Sequence, residues 1–256
     1  MGRRWQHQVS ADWLRARKDV LTATEIKGLV PEMKRLKKKP LKDGEISPAF
    51  AALWSEKHTD SEPDVDSPSS DAARGHILEP YAVETWNKIW SPELTMYHWD
   101  DCVIKQNHIG FSPDAMDIEQ IVANPWLPFS KVNATRIMEI KSYNPAHHMK
   151  CVIKDKMDLD EIWQIAVAFW VLPTLEDAFL AFYCPDNPIP MKVFQYKRED
   201  FKEQIDMITD ILKEYLRTDK ECKKIVAYSM YPNLFTEQQI WNEYMMENYD
   251  TFVVMK

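Results

Sequence analysis

The chain has 256 residues, enough to bury one good core, and its formal net charge is −8. Its longest apolar run, from Ile165 to Leu172, is too short to span a bilayer, and the first residues lack the apolar core of a signal peptide, so we predict a soluble, intracellular protein. The four cysteines form no C-x-x-C pair, which argues against zinc ribbons and disulfide frameworks.

Charge is distributed unevenly along the chain. Residues 1–42 contain 12 Lys or Arg against 4 Asp or Glu, a net of +8, whereas residues 43–256 contain 20 against 36, a net of −16. Because phosphate contacts need Lys and Arg, the run from Lys34 to Lys39, together with Lys42, is a candidate surface for a nucleic-acid backbone. A solvated basic loop explains the same run equally well.

Two segments precede the first predicted strand. The tract from His58 to Ser70 is acidic, rich in Pro and Ser and poor in large apolar residues, which predicts a mobile loop rather than a domain boundary. Residues Asp71 to Trp90 predict an amphipathic helix. Its apolar stripe consists of Leu78, Ala82, Trp86 and Ile89. Taken alone, Glu79 on the shoulder of this helix is best interpreted as a solvated first-turn acid, which the helix dipole favours.

Two predicted strands follow. Residues Cys102 to Phe111 predict a strand that ends at a Ser-Pro-Asp turn, because proline cannot donate a ladder hydrogen bond, and Asp114 then lies at a strand end. Residues Ala134 to Ser142 alternate between apolar and polar side chains with a period of two, which predicts a second strand. Glu139 and Lys141 therefore point to the same face of that strand.

These side chains suggest metal-assisted phosphodiester cleavage. If Asp114 lies beside Glu139, their carboxylates can share a hard divalent cation such as Mg²⁺, which takes oxygen ligands and keeps waters for a substrate phosphate. Lys141 would then orient the attacking water or stabilise the oxyanion. On these residues alone a simpler alternative stays open, that Glu139 and Lys141 form the solvated face of an edge strand.

The next segment is a predicted buried helix, from Leu159 to Leu172. From Ile162 onward it is apolar on every side, and Gln164 is the only polar residue in that part. A buried amide needs hydrogen-bond partners, so Gln164 either bonds to backbone or belongs to a polar site. Further on, the pattern predicts a strand and two helices that flank the sheet, at Met191 to Tyr196, Glu199 to Arg217 and Thr236 to Tyr249.

Five blocks in chain order carry a resemblance to a known family. They are Arg17 to Glu25, Gly75 to Ala82, Phe111 to Asp114, Met138 to Lys141 and Ile162 to Gln164. In this order they resemble the phage lambda exonuclease family, also called YqaJ-type viral recombinases, within the PD-(D/E)XK nuclease superfamily. The resemblance implies an α/β fold with a restriction-endonuclease-like PD-(D/E)XK core, in which a central mixed sheet is flanked by helices.

The resemblance also implies a metal centre. Asp114 and Glu139 resemble the family's metal-binding acids, and the backbone carbonyl of Ile140 resembles its third ligand. Lys141 resembles the catalytic lysine. The implied cofactor is Mg²⁺, for which Mn²⁺ can substitute.

Four further residues receive roles from the resemblance. Glu79 is similar to a helix-borne acid that approaches the metal site, often through water, and Gln164 to a glutamine that braces the lysine and the nucleophilic water. Arg17, with Thr24 where the family usually has serine, resembles a pocket for the 5′ phosphate of a DNA end. An arginine suits that task because its planar fork makes bidentate, charge-assisted hydrogen bonds.

The sequence departs from the family pattern at places that remove no ligand. Ala115 follows Asp114 where glycine is usual, and Ser142-Tyr143 replace a common Cys-Pro. The segment from Asp117 to Asn133 is longer than the usual hairpin between the acidic strands, and we expect it to be an insertion near the DNA channel.

The expected protein is a single nuclease domain over residues 1–256, with a basic N-terminal arm over 1–42, a mobile loop at about 58–70 and a helical C-terminal tail from about 199 to 256. The resemblance implies an Mg²⁺-dependent 5′ to 3′ exonuclease that degrades one strand of linear duplex DNA. The 3′ overhang would pass to a single-strand annealing protein for phage recombination. The implied assembly is a homotrimeric ring in the bacterial cytoplasm, encoded by a phage or prophage, without a membrane partner.

Two other functions stay open at this stage. An endonuclease of the same superfamily would use the same metal chemistry without requiring a DNA end. A catalytically silent scaffold that binds DNA ends during recombination would need no metal-dependent turnover.

Overall fold

The computed structural model of the protein describes residues 11–59, 70–100, 102–120, 126–154 and 159–230. In these ranges the helices are α1 (Ala11–Lys18), α2 (Ala23–Lys38), α3 (Pro48–Lys57), α4 (Ser70–Ile89), α5 (Pro145–Lys154), α6 (Leu159–Val171) and α7 (Lys202–Met230). The strands are β1 (Tyr97–His98), β2 (Val103–Gln106), β3 (Ile109–Phe111), β4 (Ala115–Met116), β5 (Trp126–Pro128), β6 (Arg136–Lys141), β7 (Asp177–Tyr183) and β8 (Met191–Lys197). Short 3₁₀ helices lie at Pro92–Leu94, Phe129–Lys131 and Arg198–Phe201.

The larger sheet is mixed. Its strand order is β1-β4-β6-β7-β8, with β6 and β7 parallel and the other neighbouring pairs antiparallel. Every residue of β7 is buried, as expected for a strand that is covered on both faces. Helices α5 and α6 lie between β6 and β7 in the chain, so they form the crossover that two parallel neighbours require.

Helices cover both faces of this sheet. On one face, Ala82 and Trp86 of α4 pack against Met138 of β6. On the other face, Cys151 of α5 packs against Leu180 of β7. Alternate residues of a strand point to opposite faces, which is why one strand can serve both layers. The described residues therefore confirm the predicted central mixed sheet flanked by helices.

The smaller sheet has the order β3-β2-β5, and it corrects one prediction. The run from Cys102 to Phe111 is not one strand but a hairpin, in which β2 and β3 pair antiparallel. Asn107 at the turn adopts a φ of 52°, a left-handed conformation that asparagine tolerates better than most residues. The segment from Asp117 to Asn133 adds β5, which pairs parallel with β2.

Helix α4 forms where the sequence predicts it, but its buried face differs in one position from the predicted stripe. On α4, Ala82 and Trp86 are buried as expected, but Ile89 is 59% exposed. Trp90 stacks on Trp86 with ring centroids 4.2 Å apart and packs against the core, so it takes the place that was assigned to Ile89. None of the helices in the described ranges is long and apolar enough to cross a membrane.

Helix α7 continues well beyond Arg217, where its end was predicted. Thr218 and Asp219, which look like helix-ending residues in the sequence, are buried within it, and so is Cys222. The predicted last helix, Thr236 to Tyr249, lies outside the described residues. Residues 60–69 of the predicted mobile loop lie outside them as well.

The chain divides into two compact units. The first comprises Met1–Val30 with Ser61–Thr209 and contains both sheets, whereas the second comprises Pro31–Asp60 with Asp210–Lys256. Helices α2 and α7 each contribute residues to both units. That the whole chain acts as a single nuclease domain stays a prediction.

The basic run from Lys34 to Lys39 lies in the second unit, and all but its last residue belong to α2. The interpretation of this run as a loop is therefore wrong, although its basic side chains are exposed. Lys37 is paired, because its Nζ lies 2.5 Å from Oδ2 of Asp210. Basic residues in the last turn of a helix also interact favourably with the helix dipole.

Candidate active site

Asp114 lies beside Glu139, at the place where β4 begins. In the antiparallel pair of β4 and β6, Ala115 stands opposite Met138, so the register continues with Asp114 opposite Glu139. Oδ2 of Asp114 accepts a hydrogen bond of 2.6 Å from the backbone N–H of Ile140. Side chains directly opposite each other in such a pair have Cβ atoms about 5 Å apart. Two acids that are distant in the sequence thus meet at one strand end.

Lys141 completes this group. Its Nζ donates a hydrogen bond of 2.6 Å to Oε1 of Glu139, and Glu139 is only 8% exposed. The period-two pattern of β6 separates these polar residues from Met138 and Ile140, which belong to the core under α4. Since β6 lies between β4 and β7, the alternative interpretation as a solvated edge strand is wrong.

Crowding of negative charge dominates the electrostatics of this group. Burial, followed by the charges of Glu139 and Glu79, raises the pKa of Asp114 well above its usual range, although Lys141 and the N–H of Ile140 oppose this shift. Burial alone would lower the pKa of Lys141, but Glu139 and Asp114 outweigh it and raise that pKa. Lys141 is therefore a protonated ammonium, and a further cation would relieve the repulsion between the acids.

Glu79 approaches the two acids from α4. It lies in the middle of the helix with its side chain only 13% exposed, so its interpretation as a solvated first-turn acid is wrong. Its Oε2 is 3.5 Å from Nδ1 of His76 and 3.7 Å from Nε2 of His98. Burial acts to raise the pKa of Glu79, but the two imidazoles outweigh burial and lower it to about 2. Glu79 is therefore ionised, and its charge acts on Asp114.

A cavity of about 80 Å³ joins Glu139 to three other predicted site residues. Arg17, Thr24 and Gln164 line it together with Glu139. Its remaining lining consists of Val20, Thr22, Ala23, Val103, Gly110, Phe111 and Ser112. The volume accommodates several water molecules. Gln164 is half-buried, so cavity water can satisfy the amide that the sequence places on an otherwise apolar helix.

The cavity combines a partly buried guanidinium with a helix N-terminus. Arg17 lies over the ring of Trp13, with 4.6 Å from Cζ to the ring centroid. Burial lowers the pKa of Arg17, although Glu25 and Glu139 oppose the shift, and an arginine stays charged under such a shift. Helix α2 begins at Ala23, next to the cavity-lining Thr22 and Thr24. Free N–H groups at a helix start and an arginine fork both favour a bound anion.

The oxygen donors of Asp114 and Glu139 fit Mg²⁺. In the part of the chain that the structure describes, no set of three His, Cys, Asp or Glu side chains is arranged to hold a metal by itself. The predicted set is different, because it consists of two carboxylates and one backbone carbonyl. Mg²⁺ commonly binds one or two carboxylates and takes its other oxygens from water and substrate phosphate. The hydrogen bond from Ile140 to Asp114 also holds the third predicted ligand residue beside the acids.

Two solved structures are similar to this chain. One is an alkaline exonuclease, LHK-Exo, from Laribacter hongkongensis, with a TM-score of 0.53 and 16% identity over 85% of this chain and 98% of that chain. The other is LHK-Exo in complex with dAMP, with a TM-score of 0.54 and the same identity and coverage. The chain shares its fold with LHK-Exo. No protein-family model and no curated protein matches the sequence.

This likeness agrees with the predicted α/β fold, in which a central mixed sheet is flanked by helices. The match covers nearly the whole length of LHK-Exo and is therefore not limited to a shared sheet. At this level of identity it concerns the fold alone, so the roles of Asp114, Glu139 and Lys141 stay predictions.

Sequence reasoning missed one acid near Lys141. Glu161 of α6 is 5% exposed, and its Oε1 accepts a hydrogen bond of 2.7 Å from the hydroxyl of Tyr143. It lies one turn before Gln164 and is among the acids that raise the pKa of Lys141. The spacing of three residues between Glu161 and Gln164 was the available signal, because it places both on one face of a helix.

Gly110 provides a test of the cavity wall. A Cβ at this position would lie 2.8 Å from Cγ2 of Val20 and 3.0 Å from Cγ1 of Val103, so the segment that follows α1 would have to move away from β3. We expect Gly110→Ala to lower the free energy of unfolding by about 1–3 kcal/mol, as overpacking does. Urea unfolding measures this change. Gly28→Ala is the matched control, because no atom lies within 4 Å of its added Cβ. Equal stability of the two variants would contradict the close packing of Val20 on Gly110.

Proposed function

We propose that this chain is an Mg²⁺-dependent nuclease that digests linear duplex DNA from its ends, in the 5′ to 3′ direction. The observation that carries the proposal is the convergence of Asp114, Glu139 and Lys141 beside a cavity that Arg17 lines. The exonuclease fold supports the same conclusion. The neighbour that binds dAMP makes a deoxynucleoside monophosphate a reasonable product for this chain too.

The metal would be held by the carboxylates of Asp114 and Glu139 and by the backbone carbonyl of Ile140. When bound, Mg²⁺ supplies a Lewis acid and a water of lowered pKa next to the scissile phosphate. Without such a cation, two buried carboxylates and Glu79 repel one another, as the raised pKa of Asp114 indicates. Glu79, whose carboxylate is ionised, would orient water at the edge of this site.

Lys141 would act on the reacting phosphate. Its ammonium is held at Glu139 by a bond of 2.6 Å and stays protonated in its acidic surroundings. A fixed positive charge in a buried place stabilises an anionic transition state better than a mobile one in water. Gln164, on the cavity side of Glu139, would brace the attacking water through its amide.

Arg17 and Thr24 would hold the 5′ phosphate of the DNA end. The cavity has the donors for an anion, namely a partly buried guanidinium and the start of α2, and Glu139 lines the same cavity. An end phosphate bound there would place a phosphodiester of the same strand near the acids. Cleavage would then proceed from the 5′ end and leave a 3′ overhang. We propose that this overhang serves a phage single-strand annealing protein and that the enzyme acts as a trimeric ring in the bacterial cytoplasm.

The decisive experiment uses linear duplex DNA with a different fluorescent label near each end of one strand, with and without Mg²⁺. We expect loss of the 5′ label first, release of mononucleotides, and no reaction after chelation with EDTA. Mn²⁺ is expected to restore activity in place of Mg²⁺. A covalently closed circle of the same sequence is the control for the end requirement.

Each alternative function predicts a different result in this experiment. Nicking or linearisation of the closed circle would identify an endonuclease of the same superfamily. Tight binding of linear ends without metal-dependent turnover would identify a silent scaffold. Loss of the 3′ label first would leave a nuclease but refute the proposed polarity.

A further inference from the structure

Two histidines surround the carboxylate of Glu79. His76 lies one turn earlier on α4 and places its Nδ1 3.5 Å from Oε2, while His98 on β1 places its Nε2 3.7 Å from the same oxygen. The two imidazoles come from different elements, so their convergence on one oxygen is a tertiary feature rather than a consequence of helix spacing.

His98 has a buried nitrogen that needs a partner. Its Nε2 is shielded from solvent and makes no hydrogen bond to any residue that the structure describes. A buried imidazole nitrogen without a partner is costly, so such groups in folded proteins are almost always hydrogen-bonded. The Glu79 carboxylate, 3.7 Å away, becomes that partner after a shift of about half an ångström.

Pairing of β1 with β4 brings His98 close to Asp114. β1 pairs with β4 so that His98 stands opposite Ala115, the residue that follows Asp114. The backbone N–H of Trp99 donates a hydrogen bond of 2.9 Å to the carbonyl of Asp114. The backbone at His98 is therefore fixed relative to that of Asp114, and the imidazole that it carries lies beside Glu79.

The helix itself holds Glu79 less firmly than an ordinary helix would. Pro80 follows Glu79 within α4 and has no N–H to donate to the carbonyl of His76. Removing a helical hydrogen bond weakens this turn, so contacts made by side chains gain importance for the direction of Glu79.

We propose that His98, assisted by His76, is a positioning residue that orients the Glu79 carboxylate toward Asp114. This proposal rests on the proposed nuclease function, in which Glu79 orients water at the acidic site. His98 touches neither substrate nor metal in this scheme. It acts through Glu79, in the way that outer hydrogen-bond partners fix the groups that do the chemistry.

The first test is spectroscopic and needs neither metal nor DNA. Imidazole ¹⁵N and ¹H shifts are recorded for the metal-free protein and for Glu79→Gln, with His98→Gln used to assign the His98 signals. We expect Glu79→Gln to shift the Nε2 signal of His98 and the Nδ1 signal of His76, and to leave His58 of the second unit unchanged. An unchanged His98 signal would overturn the proposal, whether or not the protein is a nuclease.

The second test is a double-mutant cycle on digestion of linear duplex DNA. His98→Ala is expected to lower kcat about tenfold with little change in KM, and His98→Gln, which keeps a donor, to retain most of the rate. In the Glu79→Gln background, His98→Ala should lower the residual rate by less than about twofold, because the carboxylate that His98 orients is already absent.

A merely structural histidine gives a different outcome. It would lower the rate by the same factor in both backgrounds, and the glutamine variant would not restore it; that result would refute the positioning role. Thermal unfolding of each variant verifies that the fold is present. If the unmodified protein digests no DNA, the proposed function fails, while the spectroscopic test still decides whether His98 contacts Glu79.

Discussion

Replacing Lys141 with alanine is expected to reduce DNA cleavage by about 10³-fold or more, while the fold remains intact. The ammonium of this side chain hydrogen-bonds to Glu139, and the charges of three acids, Glu139, Asp114 and Glu161, favour its protonated form. Without it, the phosphate loses a fixed positive charge and the carboxylates lose their compensating cation. The rate of release of labelled nucleotides from linear duplex at saturating Mg²⁺ measures the effect.

Two variants sharpen this experiment. Lys150→Ala removes a lysine that is exposed on α5, and it should digest DNA at the wild-type rate. Glu139→Ala, which removes a predicted metal ligand and the hydrogen-bond partner of Lys141, should also abolish cleavage. Cleavage by Lys141→Ala within tenfold of the wild-type rate would show that this lysine is not catalytic.

Replacing Arg17 with alanine is expected to remove the preference for 5′-phosphorylated ends. Arg17 lines the cavity that also contains Glu139, and no other arginine lines that cavity among the described residues. Losing a bidentate, charge-assisted contact to phosphate costs roughly 2–3 kcal/mol, which corresponds to about 30-fold to 150-fold. The measurement is the ratio of digestion rates for 5′-phosphate and 5′-hydroxyl ends at low DNA concentration.

Matched variants separate charge from geometry in this experiment. Arg15→Ala removes an exposed arginine from the same helix and should keep the wild-type ratio. Arg17→Lys retains a positive charge but loses the planar fork, so it should recover only part of the preference. If Arg17→Ala keeps the wild-type ratio of rates, the assignment of the 5′-phosphate pocket is wrong.

The elements that the sequence predicted well are those with a strong local period. The alternation around Glu139 and Lys141 defines β6 within two residues at each end, and the apolar segment that contains Gln164 defines α6. These patterns can be recognised in the sequence because a strand or helix that buries one face, or every face, needs apolar residues at the corresponding positions. The meeting of Asp114 and Glu139 was predicted only as a condition, since pairing between distant strands is set by register.

The parts that the sequence did not reveal depend on tertiary contacts. The hairpin turn at Asn107 has no glycine to mark it, and the polar residues around it are equally compatible with one continuous strand. The burial of Glu79 between His76 and His98 requires α4 to lie over β1, which no local pattern encodes. Likewise, Thr218 and Asp219 favour a helix end by propensity, but packing in the second unit overrides that preference.

Backbone hydrogen bonds join the segment that follows Arg17 to the β2–β3 hairpin, which leads directly to Asp114. Leu21 forms two backbone hydrogen bonds with the β2–β3 hairpin, from its N–H to His108 and from Gly110 to its carbonyl. Only three residues separate Gly110 from Asp114. If Arg17 binds the 5′ phosphate and Asp114 the metal, as proposed, these backbone contacts fix the spacing between the two positions. We then expect the enzyme to release products of constant length, whatever the DNA sequence.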